Sequence, residues 1–386
     1  MQTKQHPLVV TSLGTERNIV SFHYGMAGSD SSSNSHAGEK IYIQASLHAD
    51  ELPGMLVAHH LRSRLAALEK AGAITGEIII VPVANPVGLS QMMLRSHLGR
   101  FEAATGENFN RHYPALIGPV AARVAGKLGL DAKKNVSLIR QAMHDTLRTD
   151  SPDGADGAEA TEVTSMRKVL MSLACDADVV LDLHCDAAAA MHLYTGTPLW
   201  PQCEPLSRCL GAVATLLATE SGDNPFDEAC SQTWWQLAAQ FPDKPIPMAC
   251  LSVTVELRGM TDVNHSQAEQ DADHIIDFLK YRGAIKGDAP PLPPLLYPAT
   301  PLAGSEPIIT PVSGVVAYLK KPGDWVKKGE VIAEVINPIS SHVQQLKSGS
   351  EGVLYAQENR HFAVAGMRLA KVAGATAFRT GKLLSA

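Results

Sequence analysis

Three short apolar runs, KIYIQASL at 40–47, EIIIVPVA at 77–84 and DVVLDL at 178–183, most constrain how this chain folds. Helical patterns separate them, at 55–71 (MLVAHHLRSRLAALEKA) and at 162–175. A strand covered on both faces reads as an unbroken apolar run, and such strands alternating with helices build a mainly parallel sheet. The expected fold is therefore α/β, a mixed, mainly parallel sheet flanked by helices. Further strands are expected at 189–195 and 249–257 (ACLSVTVEL), and a helix near 268–282. In such sheets, functional residues gather just past the carboxyl ends of the strands. His48, His184 and Glu256 all fall at or near such ends.

The first of these lies in SLHADELPG (46–54), where a strand gives way to a helix. Alone, the H-x-x-E spacing of His48 and Glu51 reads as a polar turn. Zinc in hydrolytic sites commonly takes three protein ligands and an open position for water, and two histidines with one glutamate are an established set. DVVLDLHCD offers the third in His184, although a single such residue is more often a satisfied buried histidine. Asp182 sits on the same strand face and can orient the imidazole through its second nitrogen. Gly54 is expected to let the backbone turn tightly into the helix.

Hydrolysis also needs a base and support for a developing oxyanion. Glu256, in the apolar run CLSVTVELRG, is the candidate base, against a structural ion pair in which Arg258 is one candidate partner. GRFEAATGENFNRHYP supplies Arg111 beside Asn108 and Asn110; a guanidinium there polarises a carbonyl or holds a carboxylate, against the plainer reading of a surface salt bridge. Arg95, His97 and Arg100 line either an anion pocket or, the favoured reading, a solvated loop. His59 and His60 lack a partner at ligand spacing and read as packing or surface residues. His361 reaches the site only if the C-terminal region folds over it.

Segments 30–38 (DSSSNSHAG) and 151–160 (SPDGADGAEA) read as exposed loops. The proline-dense stretch KGDAPPLPPLLYPATPLAGSEP (286–307) reads as an extended connector. We therefore expect a catalytic α/β domain over 1–287, a linker over 288–307 and a small all-β sandwich or barrel over 308–386. Within the last, GVVAYLKKPGDWVKKGEVIAEV from Gly314 aligns with GVLYAQENRHFAVAGMRLAKV from Gly352. This resembles the biotinyl/lipoyl-carrier fold, built from two similar halves. Its modifiable lysine is missing from EVINPISS, the comparable turn, so the module is expected to be structural, packing beside the site or mediating assembly.

The bulk numbers exclude other classes. Net charge is −6 with no basic block, against nucleic acid or anionic membrane as the main partner. No run approaches the roughly 18 apolar residues of a membrane helix, and the first residues carry no signal-peptide pattern. Six scattered cysteines without C-x-x-C spacing read as reduced thiols, consistent with a cytoplasmic protein.

The ordered set H-x-x-E, N-x-N-R, D-L-H and V-E-L, over roughly 40–285, resembles the succinylglutamate desuccinylase/aspartoacylase branch of the zinc carboxypeptidase superfamily. The resemblance implies one zinc ion held by His48, Glu51 and His184, with cobalt or manganese as alternatives on the same ligands. It implies Arg111 on the scissile carbonyl, with Asn110 beside it in substrate binding, and Glu256 as general base and acid. The implied reaction is removal of an acyl group from an N-acyl amino acid or related small amide. A second Asn-Arg pair for a substrate carboxylate is not matched after Arg111, and the stretch from Arg111 to His184 is longer than in that branch. A zinc carboxypeptidase acting on short peptides and a non-catalytic binding protein are the rival readings. Homo-oligomerisation stays open.

Overall fold

The structure is a computed structural model that describes residues 1–25, 38–149 and 161–384. The loops expected at 151–160 and, but for Gly38, at 30–38 lie outside the described residues.

Nine strands among these residues form one sheet. They are β1 (Gln2–Pro7), β2 (Asn18–Tyr24), β3 (Lys40–Ala45), β4 (Glu77–Val81), β5 (Val179–Asp186), β6 (His192–Gly196), β7 (Ala214–Ala218), β8 (Leu251–Gly259) and β9 (Thr300–Pro301). Their order is β1-β2-β4-β3-β5-β8-β6-β7-β9. The central four, β4-β3-β5-β8, are parallel, while β2 and β6 run antiparallel to β4 and β8. Helices cover both faces, which explains the unbroken apolar runs. On one face α1 (Pro53–Lys70), α4 (Trp200–Leu210) and α6 (His265–Tyr281) bury Leu61, Leu206 and Ile275 against Ile43, Leu181 and Val253. On the other, α2 (Ala132–Thr149), α3 (Glu162–Ala174) and α5 (Phe226–Gln240) bury Met143, Met166 and Trp234 against Tyr42, Ile79 and Val180.

Gly54 corrects one expectation. Its φ is not in the left-handed region. What it needs is proximity: a Cβ there would stand 2.9 Å from the Leu183 carbonyl oxygen and 3.1 Å from the Ala45 Cβ. The glycine lets α1 start directly against β5 and β3, where the candidate ligands lie.

The C-terminal region is all β. It comprises β10 (Ser305–Ile309), β11 (Gly314–Tyr318), β12 (Trp325–Val326), β13 (Val331–Ile336), β14 (Val343–Lys347), β15 (Gly352–Gln357), β16 (Phe362–Ala363) and β17 (Arg368–Gly374). Two antiparallel sheets, β10-β17-β15-β12 and β14-β13-β11-β16, close on a core that includes Val316, Ile332, Val335, Leu354, Leu369 and Val372. The sequence repeat is visible as an exchange of short strands: β12 of the first copy pairs with β15 of the second, and β16 of the second with β11 of the first. The repeated glycines open each copy because a Cβ on Gly314 or Gly352 would lie 2.4 or 2.1 Å from the carbonyl of Ile336 or Ala373.

Hydrogen bonds tie this module to the α/β layers. The stretch expected as a connector contributes β9, which pairs in parallel with β7 at the sheet edge. The two-residue strand Ala188–Ala189, just after β5, pairs with Ala356 and Gln357 of β15. The module therefore stands over the carboxyl end of β5.

Candidate metal centre and its cavity

The strand ends shape the site. After β3 the buried Ser46 adopts a left-handed φ of 65°. Such a φ is uncommon for a residue with a Cβ, and it redirects the chain so that His48 and Glu51 lie beside the end of β5. There, Asp182 and His184 occupy the face that Val180 covers lower down the strand.

His48 Nδ1 lies 2.8 Å from Glu51 Oε1, and His184 Nδ1 lies 2.8 Å from Glu51 Oε2. One ligand atom from each of the three lies within 4.8 Å of the other two, and all three residues are buried. The outward nitrogens define the rings. His48 Nε2 is 2.9 Å from Asn108 Oδ1 and His184 Nε2 is 2.8 Å from Asp182 Oδ2, and both oxygens only accept. Each Nε2 therefore carries hydrogen and donates outward, leaving the two Nδ1 atoms facing the carboxylate. Asn108 Oδ1 also accepts from the Asn110 amide (2.8 Å), and the Cys185 amide donates to Glu51 Oε2 (3.0 Å).

Two inward Nδ1 atoms against a carboxylate form a constellation that demands positive charge. Burial opposes charge on Glu51, yet His48 and His184 hold it well below the usual carboxylate range. Burial likewise opposes a proton on His184, but Asp182 and Glu51 raise its pKa well above the ordinary value. Burial, then Arg100, pushes His48 down to about 4, so its Nδ1 is a free lone pair. Arg100 Nη1 donates to Glu51 Oε1 (3.1 Å) and faces His48 Nδ1 at 3.2 Å. Two nitrogens and one carboxylate, oriented from behind by hydrogen bonds, fit a divalent metal ion of the zinc kind.

A buried polar chain extends behind His184. Tyr42 OH donates to Gln44 Oε1 (2.8 Å), and Gln44 Nε2 donates to Asp182 Oδ1 (2.9 Å). Gln44 and Asp182 are register partners on β3 and β5. In the sequence Gln44 is one polar letter inside an apolar run, a signal open to reading once the strand faces are assigned.

Glu256 is the register partner of His184 across β8 and β5. Its Oε2 is buried and, among the described residues, has no hydrogen-bond partner. Burial, reinforced by Glu51, pushes its pKa up to about 8. Arg258, one partner considered for a structural ion pair, is bound instead to Asp271.

His48, Glu51, His184 and Glu256 line one cavity of about 780 Å³. Arg111 lies in its wall, buried, donating to the Asn110 carbonyl (2.6 Å). Burial and then Arg100 lower its pKa. Asn110 also reaches the cavity, but its Oδ1 accepts from the Phe226 amide (2.9 Å), so that atom anchors the start of α5. Asp227 and Glu228 of α5 line the wall too, with carboxyl pKa values raised first by burial, then by Asp182 for Asp227 and by Asp227 for Glu228.

Two expectations change here. Arg100 and His97 line the cavity rather than a solvated loop, because the Ala49 amide donates to the Gly99 carbonyl (2.9 Å) and ties their loop to the metal-site turn. Arg95 is not among the lining residues. His361 does not line it either; its Nδ1 is engaged with the Val316 carbonyl (3.1 Å). Instead the β module sends Arg360, Arg368 and Lys371. Lys371 Nζ donates to Asp186 Oδ2 (2.5 Å), at the end of β5. Nothing local in the sequence of β17 announces this, since the module's packing alone brings it there.

The arrangement defines a class: an α/β protein with a His-Glu-His centre and a buried carboxylate in one cavity. A model of the succinylglutamate desuccinylase/aspartoacylase catalytic domain matches residues 37–282, and the chain belongs to that family of deacylases. No curated protein matches. A protein from Shewanella amazonensis SB2B, named for the same family, is 24% identical, with 97% of this chain and 98% of that one covered and a TM-score of 0.83. A second, from Shewanella frigidimarina NCIMB 400, is 22% identical with 97% of each chain covered and the same TM-score of 0.83. The ectoine utilization protein EutE (DoeB) from Ruegeria pomeroyi, solved with product bound, is 16% identical over 96% of this chain and 93% of its own, with a TM-score of 0.65. At these identities the likeness is one of fold, and it extends through the β module. No helix among the described residues is long and apolar enough to cross a membrane.

Proposed function

We propose that this protein is a zinc-dependent amide hydrolase that removes the acyl group from a small N-acyl amino acid. The observation that carries this reading is Glu256, a buried carboxylate with an oxygen unpartnered among the described residues, beside His184 in the cavity that holds His48, Glu51 and Arg111. His48, Glu51 and His184 would hold the ion, which when bound acts as a Lewis acid and lowers the pKa of water toward about 7.

This chain's own residues supply the rest. Glu256 Oε2 accepts a proton from the water that attacks the carbonyl carbon. Arg111 donates hydrogen bonds to the carbonyl oxygen as negative charge grows on it. As the carbon–nitrogen bond breaks, Glu256 returns the proton to the departing nitrogen, giving a carboxylate and an amine. Burial and the Glu51 charge favour the protonated form of Glu256, and so help it draw the proton from the attacking water. Asp182 and Asn108 keep the imidazoles from rotating away.

A small substrate is favoured over a peptide because β15 and β17 wall the cavity and Lys371 bonds this wall to Asp186. A cytoplasmic setting suits six free, buried cysteines. The test is a screen of zinc-loaded protein against N-succinyl, N-acetyl and N-formyl amino acids, with short peptides alongside. Glu256→Gln should keep its zinc by metal analysis yet lose turnover by about 10²–10⁴-fold. Full activity in that variant would remove the proposed base.

A further inference from the structure

We propose that His60, His265 and Glu269 form a second metal site, separate from the cavity, that takes a nitrogen-preferring transition-metal ion and clamps α1 to α6. Within its own helix His60 has no partner at ligand spacing, but the fold brings one from 205 residues away. His60 Nε2 lies 3.0 Å from His265 Nδ1, and the other nitrogen of the same ring, Nδ1, lies 3.7 Å from Glu269 Oε1, so one His60 nitrogen faces the ion and the carboxylate turns to meet it there. One ligand atom from each residue falls within 4.8 Å of the other two. None of the three lines the cavity.

Three features point to a metal rather than a surface hydrogen bond. First, His265 and Glu269 are four apart on one helix, so both project from the same face toward the buried His60. Second, two imidazole nitrogens 3.0 Å apart match the span of neighbouring ligands around one ion, about 2.9–3.4 Å for metal–nitrogen bonds of about 2.0–2.1 Å. Third, the carboxylate is available. Among the described residues Glu269 pairs with no lysine or arginine, because the adjacent Arg64 is bound to the Asp273 carboxylate.

Two imidazoles and a carboxylate suit Zn²⁺, Ni²⁺ or Cu²⁺ rather than Mg²⁺ or Ca²⁺, which prefer all-oxygen sites. His265 and Glu269 are exposed, so the ion enters directly from solvent and water completes its shell. His60 lies seven residues into α1 from Pro53, roughly 10 Å along the helix at 1.5 Å per residue. Its ion would bind folded protein alone, since the two helices are brought together by folding, and so stabilise it.

The test is metal stoichiometry and thermal unfolding of the full chain titrated with Zn²⁺ and with Ni²⁺. Wild type should bind two equivalents at micromolar metal, and His265→Ala and Glu269→Gln should each bind one, with deacylase activity retained. The melting temperature should rise by several degrees as the second equivalent binds wild type and not rise in the variants. Should the cavity prove to hold no metal, the counts become one and none, so the two readings fail separately. Equal stoichiometry in wild type and variants, or a second ion bound only at millimolar concentration, would overturn the proposal.

Discussion

Glu256 shows how a single residue couples chemistry to stability. Its pKa, pushed up to about 8 by burial and by Glu51, exceeds the 4.5 of an ordinary glutamate. Folding therefore favours its neutral form. The stability it contributes is full below about pH 4.5 and is lost as pH rises through about 8. Glu256→Gln stays neutral throughout. In metal-stripped protein, urea unfolding should show the variant gaining stability relative to wild type from pH 5 to pH 8.5. Parallel profiles would mean that the carboxylate titrates normally. The same residue scale explains why Asn108 matters: in sequence it is one of two asparagines beside Arg111, but in the fold its carbonyl oxygen sets the tautomer of His48.

At the scale of elements, the site depends on how closely α1 approaches β5. Gly54→Ala would press a methyl group against the Leu183 carbonyl and the Ala45 Cβ, neither of which yields easily. We expect a loss of about 1–3 kcal/mol in unfolding free energy, together with weaker metal retention because the turn bearing His48 and Glu51 shifts with the helix. Chemical unfolding and metal analysis of the variant test this; unchanged stability would show that the helix start adapts freely. Register does comparable work. Parallel pairing of β5 with β8 sets His184 level with Glu256, and pairing of β3 with β5 sets Gln44 level with Asp182. A slip of one residue would turn each of these side chains to the opposite face.

For the whole molecule, the β module is part of the cavity rather than an appendage. Arg368 lines it, its Nε is buried without a hydrogen-bond partner, and among the described residues it has no carboxylate partner. Lys371 and Arg360 are paired with Asp186 and Glu358. We predict that Arg368, the module's cavity-lining guanidinium without an acid partner among the described residues, takes a substrate carboxylate, a place for which the stretch after Arg111 offers no second Asn-Arg pair. Arg368→Gln should raise KM for an N-acyl amino acid about tenfold or more, the worth of one charge-assisted hydrogen bond, with little change in kcat. An equal KM in the two proteins would place the carboxylate elsewhere.

Read alone, the sequence established the layered α/β fold, the internal repeat and the placement of His48, His184 and Glu256 at or near strand ends, because burial on two faces and the period of side-chain projection leave local marks. Glu51 followed from its spacing to His48, and Arg111 from the N-x-N-R motif. Helices such as α4 and α5 and the outer strands β1 and β7 went unread, their patterns being short or mixed. Tertiary structure alone decided that Arg100 folds back over the metal-site turn, that Lys371 and Arg368 reach the cavity, and that His60 meets His265. Those contacts join residues from distant elements, and only packing of the whole chain sets the distance between them.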